Sequence, residues 1–201
     1  AYGSPVEHFD GRAGHMIFRD VHVTSHKTDA LWHDYGLRTH GDWKTIKVEN
    51  CLIEGRGHAL AMTRGRNQGR ITVKNTRVVA RGPALLIRAG ESVGEVTVED
   101  FRVKKHPGER FRYRHAITIR EGGEGGGTIT LKNVRADGFL DSLLGLRLGP
   151  KTEIVKENVA GTKRDFQLPS NLDIGLLNKK MARPENPKPT IAWHHTSGNS
   201  P

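Results

Sequence analysis

The chain has 201 residues, of which 35% are hydrophobic, 24 are glycine and one is cysteine, and it carries a formal net charge of +10. That composition allows one continuous but thin apolar core with many turns and disfavours a helical bundle or doubly wound sheet. The lone Cys51 excludes an internal disulfide framework and a zinc centre of several thiolates, and no apolar run is long enough for a membrane helix.

The opening residues, AYGSPVEHFDG, lack the basic start and apolar stretch of a signal peptide, so no export signal is expected within these 201 residues. Residues 1–15, which lie outside the repeat, are read as a non-repetitive N-terminal cap or arm covering its open strand edges. From residue 16 one phrase recurs. It consists of an apolar-x-apolar-x-Asn/Asp strand, a further apolar residue about three positions on, and a short apolar strand closing at Arg or Thr and Gly.

The first copy is Met16/Phe18/Asp20, Val23 and Leu37/Arg38. It returns as Ile46/Val48/Asn50, Ile53 and Leu60/Met62/Thr63, then as Ile71/Val73/Asn75, Val78 and Leu85/Ile87/Arg88. Later copies are Val96/Val98/Asp100, Val103 and Ile117/Ile119/Arg120, then Ile129/Leu131/Asn133, Ala136 and Leu144/Leu146/Arg147, with a fading one at Ile154/Asn158.

The Asn/Asp positions are spaced by 30, 25, 25, 33 and 25 residues, a near-fixed period whose excess falls in loops, which marks a stacked solenoid. Period-two alternation sends Ile71 and Val73 inward and Thr72 and Lys74 outward. One repeat cannot bury its own apolar face, so Ile46, Ile71, Val96 and Ile129 are expected to stack as one ladder. Asn and Asp tolerate left-handed backbone, which suits a bend between strands, so their column is read as a turn ladder rather than a ligand set.

The expected fold is therefore all-β, a parallel β-helix of about five to six rungs over residues 16–161. Residues 162–178, with Phe166, Leu168, Leu172, Ile174, Leu176 and Leu177, would form a C-terminal cap. Residues 179–201, rich in proline, read as an extended arm.

The phrase I-x-V-x-N-x-x-V followed by A-L-x-I-R and Gly resembles the pectate-lyase-like single-stranded right-handed parallel β-helix superfamily. That superfamily includes polysaccharide lyases, uronan epimerases, glycosidases and phage tailspike proteins. The resemblance implies right-handed winding, ligands along the strand face containing Ala84–Ile87 and, by analogy with tailspikes, a virion or other extracellular assembly and a homotrimer. It does not choose among activities, because one fold hosts many functions.

On that face the outward residues Ala61, Leu86, Thr118 and Gly145 are small or uncharged, whereas Arg38, Arg88, Arg120 and Arg147 occupy similar positions at its margin. Guanidinium groups one rung apart would suit carboxylate, sulfate or phosphate, with Glu91 and Glu121 as compensating acids. The densest basic patch, Arg102, Lys104, Lys105, Arg110, Arg112 and Arg114, falls around the longest insertion.

A hypothetical catalytic group of a lyase or epimerase is His33, Tyr35, His58 and Arg88, in which imidazole, phenol and guanidinium would act as acid and base. The acids Asp34, Asp42, Glu91, Glu121 and Asp141 are scattered, so neither a calcium cluster nor a glycosidase pair is evident, and no metal or cofactor is expected.

The leading expectation is a non-enzymatic structural and binding module of a larger assembly such as a phage virion, contacting other subunits through its C-terminal arm. A lyase or C5-epimerase acting on an acidic polysaccharide, and a carbohydrate-binding module without chemistry, are the alternatives. The basic surface favours an acidic polysaccharide; aromatic residues, at 6% and not interleaved with basic ones, argue against nucleic acid.

Overall fold

A computed structural model of the full chain describes residues 6–12, 14–24, 35–55, 58–80, 83–105, 115–139 and 142–163. The chain divides into Ala1–Asp165 and Phe166–Pro201. The second unit, and with it most of the expected cap and all of the expected arm, lies outside the described residues.

Within the first unit the described residues form strands and no helix. A six-stranded sheet has the order β1(Val6–Arg12), β4(Tyr35–Asp42), β7(His58–Asn67), β9(Leu85–Ser92), β11(His115–Glu121) and β13(Ser142–Arg147). An eight-stranded sheet runs through β2(His15–Arg19), β5(Thr45–Glu49), β8(Arg70–Ala80), β10(Gly94–Lys105), β12(Gly127–Phe139) and β14(Thr152–Lys163). Two short strands complete it: β6(Leu52–Gly55) pairs with the second half of β8, and β3(His22–Thr24) pairs with β6.

Every pairing is parallel, and the chain alternates between the sheets, returning each time one place further along. This all-β, parallel arrangement is compatible with a β-helix-like coil. Val6–Arg12, within the segment expected as a cap, pairs with β4 as an edge strand.

The register explains why these sequences pair. Ile46, Ile71, Val96, Ile129 and Ile154 lie side by side in successive strands, as do Val48, Val73, Val98 and Leu131. In the six-stranded sheet Leu37, Leu60, Leu85, Ile117 and Leu144 form a matching row. These rows meet in one core in which most members are fully buried. Each such side chain contributes roughly 1.5–3 kcal/mol by leaving water.

The bends between the two halves of each long repeat are built as the sequence indicates. Asp20, Asn50, Asn75, Asp100, Asn133 and Asn158 are the non-glycine residues with positive φ among the described residues, at 43–54°. Their side chains link neighbouring strands: the Asn50 amide donates to Asp20 at 3.0 Å and the Asn75 amide to Asn50 at 2.9 Å. The Asn133 amide donates to Asp100 and the Asn158 amide to Asn133, both at 3.0 Å. The ladder breaks between Asn75 and Asp100, because a carboxylate has no hydrogen to give to the Asn75 carbonyl oxygen.

One residue before this ladder runs a row of alternating charge: Arg19, Glu49, Lys74, Glu99, Lys132 and Glu157 lie in register. Ion pairs close it at 2.7 Å for Arg19–Glu49, 3.1 Å for Lys74–Glu99 and 3.5 Å for Lys132–Glu157. The hydrogen bonds to Glu49 and Glu99 hold the Arg19 and Lys74 cations above their ordinary pKa. Side chains directly opposite each other repel when their charges match, so the alternation removes a cost that the register would otherwise impose.

Asp100→Asn supplies the missing donor and joins the two halves of the amide ladder. The substitution should raise stability by about 0.5–1 kcal/mol, the net value of one added hydrogen bond. The midpoint of urea unfolding checks it, and a lower midpoint would count against the ladder as a source of stability.

Candidate functional site

Alternation in the six-stranded sheet fixes which side chains can serve a site. Ile87, Ile119 and Leu146 point into the core, so the next residues, Arg88, Arg120 and Arg147, point out and are exposed. These three are in register on β9, β11 and β13.

Arg38 does not join them. It pairs with Ala61 and belongs to the row Arg38–Ala61–Leu86–Thr118–Gly145, where it is half-buried. The strand beside Arg88, β7, is irregular here: its register with β9 shifts between Met62 and Gly65. The row is therefore three arginines long.

The acids expected to balance these arginines are engaged elsewhere. Glu91 pairs with Arg66, whose Nε donates to Oε1 at 2.6 Å, and accepts from the Asn67 amide at 3.3 Å. The hydrogen bond from Arg66 is the main reason the Glu91 carboxyl sits below the usual carboxylate range, against an opposing desolvation effect.

Glu121 is buried. Its Oε1 accepts from the Val93 backbone N–H at 2.9 Å, and its Oε2 accepts from the Gly149 N–H at 2.9 Å and the Thr152 hydroxyl at 2.6 Å. A carboxylate expected at the surface thus clamps the end of β11 to the segments that follow β9 and β13. Among the described residues no carboxylate lies within ion-pair distance of Arg88, Arg120 or Arg147.

Access also differs from expectation. Ala61 and Leu86, read from the sequence as an open ligand face, are buried in a small cluster apart from the main core, and Thr118 beside them is buried too. The accessible part of this sheet is its margin, where a shallow concavity of about 500 Å³ is lined by Gly65, Arg66, Arg88, Ala89, Gly90 and Glu91.

The hypothetical catalytic group is not brought together. His33 lies outside the described residues. Tyr35 and His58 are register partners on β4 and β7, and His58 is buried. Arg88 lies about five residues further along the strand direction than His58, roughly 16 Å at ~3.3 Å per residue.

A different histidine, His40, is buried with its Nδ1 3.1 Å from the Thr63 hydroxyl. Only its register with Thr63 pairs them, and a single sequence does not display register. His115 covers Gly145, where an added Cβ would come within 2.3 Å of the ring.

Of the basic patch, Arg102 and Lys104 are exposed on β10 and Lys105 ends that strand, while Arg110, Arg112 and Arg114 lie outside the described residues. Among the described residues no group of three potential metal ligands is assembled, and no helix is long and apolar enough to cross a membrane.

Glu121→Ala leaves the buried Val93 N–H without its acceptor, at about 1–3 kcal/mol, and the part-buried Gly149 N–H and Thr152 hydroxyl lose theirs at a smaller cost, so the substitution should cost about 2–4 kcal/mol. Glu91→Ala, which removes an exposed pair, should leave the denaturation midpoint almost unchanged. Equal effects of the two substitutions in chemical denaturation would contradict the clamp. Compared with known families, curated proteins and solved structures, the chain matches none.

Proposed function

We propose that the chain is a right-handed parallel β-helix that binds an acidic polysaccharide along Arg88, Arg120 and Arg147. It acts as a non-enzymatic structural and binding module of a larger assembly. Parallel pairing in register, regular alternation between two sheets and left-handed Asn/Asp bends support the helical coil. Its setting in a virion and its trimeric state extend the tailspike resemblance, and its attachment through residues 179–201 extends the reading of that proline-rich stretch as an extended arm.

The observation that carries the binding reading is the in-register arginine row without acidic partners among the described residues. Successive guanidinium groups start about 4.8 Å apart on neighbouring strands. A polymer with one carboxylate per sugar ring presents anions at a comparable interval, and each guanidinium fork can hold a carboxylate by two hydrogen bonds. The large positive charge of the chain draws such a polymer in at long range and makes the association salt-sensitive.

Calorimetric titration with polygalacturonate should show binding that weakens as sodium chloride is added. Replacing Arg88, Arg120 and Arg147 together with Gln should weaken it about a hundredfold, as expected from losing several charge-assisted hydrogen bonds. Arg38→Gln should change it little. Undiminished binding by the triple variant would sink the proposal, and unsaturated uronate products detected in the ultraviolet would move the site to the lyase reading.

A further inference from the structure

The eight-stranded sheet carries a second row of like charges, two residues after the amide ladder. Arg77, Arg102 and Arg135 are in register on β8, β10 and β12 and are exposed. The row has defined ends: Leu52 is the neighbour of Arg77 on one side, and Ala160 is the neighbour of Arg135 on the other.

The contrast with the alternating row three positions earlier gives this one meaning. Where the same strands place Lys74, Glu99 and Lys132 side by side, every cation meets an acid. Where they place Arg77, Arg102 and Arg135, three cations meet one another. Among the described residues Arg77 and Arg102 have no acid within ion-pair distance, and Arg135 reaches only Asp137 on its own strand, at 3.8 Å. Like charges directly opposite destabilise a sheet, so this row costs stability that the fold avoids a few residues away.

The row borders a cleft of about 590 Å³ whose lining includes Arg102, Arg135, Asp100, Asn133 and Asn158. The two asparagines each use one amide hydrogen in the ladder and keep a second, since the group carries two. Asp100 gives an oxygen to Asn133. Two guanidinium forks and two amide donors thus line one concave surface, and Arg77, in register beside Arg102 on the next strand, extends the cationic row beyond it to about two strand spacings, roughly 10 Å.

We propose that Arg77, Arg102 and Arg135 form an anion site, separate from the row on the six-stranded sheet, that takes a ligand carrying tetrahedral oxyanion groups, sulfate or phosphate. The guanidinium fork fits two oxygens of such a group, and the amides add neutral donors at its side. Neighbouring groups on the ligand would lie at the strand interval, so each arginine meets its own oxyanion.

The test follows the arginine Nε–H signals of the full chain by heteronuclear NMR, titrated with inorganic sulfate and inorganic phosphate at constant ionic strength. Signals of Arg77, Arg102 and Arg135 should shift together and saturate, while Arg66, already held by Glu91, stays still. Arg102→Gln should weaken binding about tenfold or more without lowering the thermal midpoint, because it also relieves repulsion. Arg102→Lys, which keeps the charge and loses the fork, should fall between the two.

Tighter binding of phosphate would assign the natural ligand to phosphate-bearing molecules, and tighter binding of sulfate to sulfate esters. Arg88→Gln with Arg120→Gln should leave these shifts intact, so the site stands or falls apart from the polysaccharide row. Shifts that never saturate, that appear equally at Arg66, or that survive in Arg102→Gln would overturn it.

Discussion

Parallel pairing in register is the constraint on which the rest depends. It sets each side chain about one strand spacing from its counterpart in the next repeat, so the sheets are assembled from rows rather than isolated residues. A row does well only if its members tolerate their own kind. Aliphatic residues do, and Ile46, Ile71, Val96 and Ile129 form a dry stack. Asparagine does, because its amide both donates and accepts, and the ladder through Asn50 and Asn75 follows. Charges do not, and they must alternate, find acids elsewhere or meet a ligand.

The first two of these outcomes occur in the molecule. The row from Arg19 to Glu157 alternates throughout. Arg66 and Arg70 find Glu91 and Glu95 at 2.6 Å. The two arginine triplets do not alternate, and among the described residues only Arg135 of the six finds an acid, Asp137 at 3.8 Å, so these rows are where the surface departs from the logic of the rest. A single step along the strand separates core from site: Ile87, Ile119 and Leu146 pack inward, and the next residue in each case is an exposed arginine. Because the buried row fixes the backbone, the guanidinium row is positioned by the core itself.

The fold was legible wherever the repeat is nearly exact. Strand period, inward rows and left-handed bends all follow from apolar pairs and an Asn/Asp recurring at about 25-residue intervals. Register across irregular strands was not legible. The stripe expected to contain Arg38 loses it because Tyr35 pairs with His58 and sets Arg38 beside Ala61, and the irregularity after Met62 interrupts β7 beside Arg88.

The role of Glu121 is illegible in the sequence for a related reason: its partners include backbone groups after other strands, which no residue pattern marks. The row Arg77, Arg102 and Arg135 could have been found by counting two residues on from Asn75, Asp100 and Asn133. It was hidden because Arg102 also begins a conspicuous basic run.

The stacking itself is measured most directly by methyl-to-methyl nuclear Overhauser effects in protein labelled at isoleucine, leucine and valine methyls. An unbroken series of cross-peaks from Ile46 to Ile71, Ile71 to Val96 and Val96 to Ile129 is the result the account requires. If Ile71 showed no contact with Ile46 or Val96, and met residues of other rows instead, the rows would not exist and the account would be wrong.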